Sequence, residues 1–90
     1  MARRRDDLSV AVSGRDGVVL VCGLTRRQQA LLELLGSAGS AGLGVDELQS
    51  RLQVSLNSLR VLKASVNHVL AETSLRVVHT GHGGYVLSGI

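Results

Sequence analysis

The chain has 90 residues, a formal net charge of +3, 44% apolar residues, no Phe or Trp and a single tyrosine, Tyr85. That length carries one core, which must be built from interlocking Leu, Val and Ala side chains, and a chain so short is expected to gain from forming a homodimer. The lone Cys22 excludes an internal disulfide and fits a reducing cytoplasm, no apolar run nears the roughly 20 residues of a membrane span, and Arg3-Arg4-Arg5 leads into Asp6-Asp7 and not into the apolar stretch of a secretory signal.

Residues 1–7 read as a basic, flexible arm, and residues 8–90 as the domain. Leu8-Ser9-Val10-Ala11-Val12 alternates apolar and small polar residues, the pattern of a half-buried strand. Ser13 to Gly17 is turn-like, with two glycines, and Val18-Val19-Leu20-Val21-Cys22 is an apolar, β-branched run bounded by Gly23. The pair predicts a β-hairpin.

Thr25 is placed to cap the next element. Gln28 three residues on completes a capping-box pattern, with Leu24 as the apolar residue before the cap. The helix is expected over Arg26–Leu35, burying Ala30, Leu31, Leu34 and Leu35 and stopping near Gly36. Gly36 to Gly44, rich in Gly, Ser and Ala, reads as a loop between two helices. Asp46 and Glu47 suit the first turn of a short helix ending near Leu52, where the helix dipole favours acids. Ser55 is a candidate N-cap for a third helix, with Leu59, Leu62, Val66, Val69 and Leu70 on one stripe. The gap of Gln53-Val54 makes the two a helix-turn-helix unit. Leu75–His79 and Tyr85–Leu87 are closing strands, joined by the glycine-rich Thr80-Gly81-His82-Gly83-Gly84.

Four local patterns resemble the DNA-binding effector domain of OmpR-type response regulators. They are Leu24-Thr25 followed by Ala30-Leu31-Leu32, Gly44-Val45-Asp46-Glu47-Leu48, the register of Leu59, Val61, Val66 and Leu70, and the segment Val77–Leu87 with its Gly-Tyr-x-Leu ending. The resemblance spans Leu8 to Leu87. It implies an α+β winged helix-turn-helix: an N-terminal hairpin, three helices and a C-terminal hairpin wing. It further implies a bacterial, cytoplasmic transcription regulator that binds double-stranded DNA. Receiver-domain control is not part of it, and the long loop the family uses toward RNA polymerase is nearly absent here.

Charge placement points the same way. From Leu48 to Ala71 there is no acidic residue, while Arg51, Arg60 and Lys63 lie inside. Such segregation is what a phosphate-facing surface needs. A helix fits the major groove, and the face opposite the apolar stripe carries Asn57, Arg60, Val61, Ala64, Ser65, Asn67 and His68 as candidate base contacts. Arg60 suits guanine, Asn57 or Asn67 adenine, and Val61 a thymine methyl. Backbone contacts are assigned to Thr25, Arg26 and Arg27 at the first helix start, to Ser58 and Lys63, and to His79, Thr80 and His82 of the wing. Arg3 to Arg5 serve either as an arm toward phosphates or as a solubilising tail.

Tyr85 reads as the hinge of the wing against the core. His79 and His82 lack further ligands at metal spacing, so no metal or other cofactor is expected. No phosphate loop, nucleophile turn or paired carboxylates with a histidine partner are present, so neither an enzyme nor a small-molecule substrate is expected. The alternative reading is a winged-helix protein–protein module, dimerising or antagonising another regulator, with weak or no DNA binding.

Overall fold

The computed structural model describes residues 8–14, 17–81 and 83–89. The expected basic arm (1–7) and His82 lie outside the described residues. Strands β1 (Leu8–Gly14) and β2 (Gly17–Leu24) form an antiparallel hairpin in which Val10 pairs with Val21 and Val12 with Val19, with a bulge between Leu8 and Val10. Alternation turns Val10, Val12 and Val21 inward, where they are buried.

Helix α1 (Arg26–Ala38) opens with the expected capping box: the Gln28 N–H donates to Thr25 Oγ1 at 3.2 Å, and the Thr25 N–H donates to Gln28 Oε1 at 2.8 Å. Leu24, fully buried, anchors the chain just before the cap. The helix does not stop at Gly36. A glycine inside a helix costs only about 1 kcal/mol against Ala, and the buried Leu35 holds the segment down. Termination waits for Gly39, whose N–H still donates to the Leu35 carbonyl and whose φ of 63° then turns the chain out of the helix.

The stretch expected as a plain loop is also structured. Gly39–Ala41 forms a 3-10 turn, and Leu43–Gly44 is a short strand, β3. β3 pairs antiparallel with β5 (Gly84–Ser88), Leu43 opposite Tyr85 and Gly44 opposite Gly84, and β5 pairs on its other side with β4 (Arg76–His79). The sheet order is β3-β5-β4. Glycine is required twice in this packing. A Cβ at Gly42 (φ 68°) would collide with the Tyr85 carbonyl oxygen, and one at Gly84 with that of Leu43.

Helix α2 (Val45–Leu52) carries Asp46 and Glu47 in its first turn, as expected, and an exposed Glu47–Arg51 pair at 3.0 Å. Its Gly44 N-cap offers no side chain; the Val45 N–H donates instead to the Gly83 carbonyl at 3.2 Å, tying the helix start to the wing. Gln53, at φ 56°, reverses the chain in the left-handed region. Helix α3 (Leu56–Val69) follows, capped by Ser55, whose Oγ accepts from the Ser58 N–H at 3.1 Å. Leu59, Leu62, Val66 and Leu70 bury the expected stripe, with Val69 packed at its margin. The core joins these to Leu24, Leu31, Leu32, Leu35, Leu48, Leu75, Val77, Tyr85 and Leu87. It is aliphatic throughout except for Tyr85.

Candidate functional surfaces

Helix α3 and the wing form the side of the molecule on which base and phosphate contacts were expected. Asn57, Arg60, Val61, Ala64 and His68 are exposed along α3, and Val61 is 63% accessible. Ser58 is exposed beside them, its Oγ accepting from Ser55 Oγ at 3.1 Å. Arg26 and Arg27 are exposed at the start of α1.

Two residues assigned to the same face are spent inside the fold. The Ser65 hydroxyl donates to the Leu62 carbonyl at 2.9 Å and accepts from Gln28 Nε2 at 3.1 Å. It therefore fastens α3 to the start of α1. Asn67 turns toward the sheet, with Nδ2 donating to the Val77 carbonyl at 2.9 Å and Oδ1 accepting from the Val77 N–H at 2.7 Å. Its amide pairs with the outer edge of β4 as another strand would, satisfying the backbone of an edge position. The free arc of α3 is thus narrower than the helical spacing predicts, because α1 and β4 flank it on either side.

Lys63 is half-buried, and its ammonium lies over the Tyr85 ring, 5.4 Å from the centroid. The His79 ring meets the same tyrosine edge-on, with centroids 4.9 Å apart at 79°. Tyr85 is 1% accessible, so it is the hinge between wing and core, as its place in the sequence predicts. The cation–ring contact engages the Lys63 ammonium with the fold and leaves Arg60 as the exposed cation of α3. Thr80 closes the wing: its N–H donates to the Gly84 carbonyl at 2.9 Å and its hydroxyl oxygen accepts from the Gly84 N–H at 3.1 Å. Thr25 Oγ1 is likewise engaged, as the α1 cap.

Arg76 has a role the sequence reading missed. Its guanidinium donates to the Leu70 and Leu75 carbonyls, both at 2.6 Å, and to those of Thr73 at 3.1 Å and Ala71 at 3.3 Å. A cation at the C-terminal end of α3 and its 3-10 extension (Leu70–Glu72) satisfies carbonyls that the helix leaves open. An arginine six residues beyond a helical stripe was the available signal.

A second surface lies on the N-terminal hairpin. Its outer row, Ala11 on β1 with Val18, Leu20 and Cys22 on β2, is exposed, Val18 to 71% and Leu20 to 62%. Isolated exposed aliphatics are ordinary, but here they stand in one row on adjacent strands. Open grooves lie elsewhere, one of about 420 Å³ between α1 and α2 and another of about 470 Å³ between β1 and the C-terminal half of α1. Among the described residues, no three His, Cys, Asp or Glu cluster at metal-binding distance. No described helix is long and apolar enough to cross a membrane.

Three helices, a helix-turn-helix turn at Gln53 and a β3-β5-β4 sheet with a hairpin wing define a winged-helix domain. The chain is similar to a solved structure of the dimer of the ScpB N-terminal domain complexed with a ScpA peptide, with a TM-score of 0.62. The two are 22% identical, and the match covers 70% of this chain and 74% of that one. No protein-family profile matches the sequence. No curated protein sequence matches it at significant similarity.

Proposed function

We propose that this chain is a winged-helix protein-interaction module, working by association with protein surfaces and carrying out no catalytic step. The observation that carries this reading is the exposed apolar row of the N-terminal hairpin, which none of the described residues covers. The groove-facing side of α3 supports it. Its centre is Val61 and Ala64, its exposed cation is Arg60, and Lys63 is held over Tyr85. The winged-helix domain of similar fold was crystallised as a dimer with a partner's peptide, which is consistent with the same use here. A free, exposed Cys22 suits the reducing cytoplasm.

A second reading, double-stranded DNA binding by an OmpR-like regulator, keeps one observation in its favour. Asn57, Arg60 and His68 are exposed on α3, and no acidic residue occurs from Leu48 to Ala71. One experiment separates the two. Random duplex DNA is titrated with the protein over a salt series, and bound sequences are selected. The module reading expects weak binding without a common sequence, lost by about 0.2 M salt. Enrichment of one duplex sequence, weakened roughly 5- to 150-fold by Arg60→Ala, overturns it in favour of base recognition.

A further inference from the structure

The N-terminal hairpin is apolar on its inner face and, along β2, on its outer face as well. Its inner row of Val10, Val12 and Val21 is buried in the core, and its outer row of Ala11, Val18, Leu20 and Cys22 is bare. β1 alternates apolar residues with Ser9 and Ser13, as a strand with one wet face does, whereas β2 runs Val18-Val19-Leu20-Val21-Cys22, apolar on both sides as in a strand covered on both sides. Within the described chain, nothing supplies the second cover.

Charge indicates what does. Neither strand, 8–14 or 17–24, contains a charged residue. Each helix, in contrast, carries charge on its exposed side: Arg26, Arg27 and Glu33 on α1, Asp46, Glu47 and Arg51 on α2, and Arg60 on α3. A face without charge offers a charged partner nothing to read. It also meets the condition for self-association, because in a twofold interface each group near the axis faces its own copy, and like charges there repel. From the reading of this chain as a protein-interaction module, we infer that the occupant of this face is a second copy of the same chain. The two hairpins pack face to face about a twofold axis near Leu20.

The position of the axis follows from the outer row. Val18, Leu20 and Cys22 project from β2 at alternate positions, roughly 7 Å apart along the strand. Centring the axis on Leu20 gives the greatest overlap: Leu20 meets its own counterpart, and Val18 lies toward Cys22 of the other copy. A face about 25 Å long and 10 Å wide buries on the order of 500 Å² over both copies, well below the ~1,200 Å² where stable interfaces begin, so the association is weak. The dimer is therefore concentration-dependent, not obligate.

The test is sedimentation of the purified chain from about 1 to several hundred micromolar, with circular dichroism confirming that each variant folds. The wild type is expected to pass from monomer to dimer in this range. Leu20→Glu and, separately, Leu20→Arg are expected to weaken dimerisation at least tenfold by placing like charges across the axis. Mixing the two variants restores association, as a heterodimer, because opposite charges then meet. A monomer throughout the range, or a dimer indifferent to both substitutions, overturns the proposal. So does a mixture that associates no better than either variant alone. A monomer that also selects no DNA sequence leaves the module reading standing with a different protein as occupant, whereas sequence-selective duplex binding removes that reading whatever the oligomeric state.

Discussion

The two hairpins of this molecule are built alike and finished differently. In the C-terminal one, β5 is flanked by β3 and β4, the outer edge of β4 is satisfied at Val77 by the Asn67 amide, and Tyr85 is closed over by Lys63 and His79. In the N-terminal one, two strands cover the core with a single valine-rich face and present Val18, Leu20 and Cys22 of β2, beside Ala11 of β1, to solvent. A hairpin whose outer edge and one aromatic ring are engaged by other parts of the chain belongs to the folding unit. One that leaves a contiguous apolar face uncovered holds free energy that only association releases.

Substitutions can break or sharpen that contrast. Tyr85→Ala should have the largest effect, about 3–5 kcal/mol in chemical denaturation, since it removes the one aromatic residue of an otherwise aliphatic core together with the seat of Lys63 and His79. Asn67→Ala strands the N–H and carbonyl of Val77 and should cost about 1–3 kcal/mol, with faster amide exchange along β4. Thr25→Ala breaks the capping box of α1 and should cost about 1 kcal/mol, readable as a lower urea midpoint with an unchanged slope. Lys63→Met keeps the aliphatic packing, loses only the cation over the ring, and should shift stability by no more than about 1 kcal/mol. Leu20→Ser should leave monomer stability within about 0.5 kcal/mol, because the side chain is mostly exposed. A large loss of monomer stability in this last variant would show that the outer face is part of the core after all, and the contrast between the hairpins would fail.

Much of this was legible in the sequence because it is local. The Thr25–Gln28 box, the Ser55 cap, the acids at the start of α2 and the stripe from Leu59 to Leu70 rest on chain neighbours and helical period, and they fixed the order of elements and the winged fold. Choosing between Gly36 and Gly39 as the end of α1 was not local. Either glycine can end a helix, and the decision fell to the burial of Leu35 and the left-handed backbone at Gly39. Strand β3 was equally hidden, since two residues carry no period, and Leu43–Gly44 is a strand only because β5 lies beside it.

The surface of α3 shows the same division. Helical spacing placed Ser65 and Asn67 on the polar side, but angle does not say which neighbour occupies that side. With α1 and β4 against the flanks of α3, Ser65 met Gln28, Asn67 met Val77 and Lys63 met Tyr85. The sequence by itself determined which residues are helical, which are extended and which stripe is apolar, because those properties follow from backbone propensity and period. Only the tertiary structure decided which polar groups remain free to bind and which apolar face remains bare, because both depend on groups far apart in the chain being packed, or not packed, against one another.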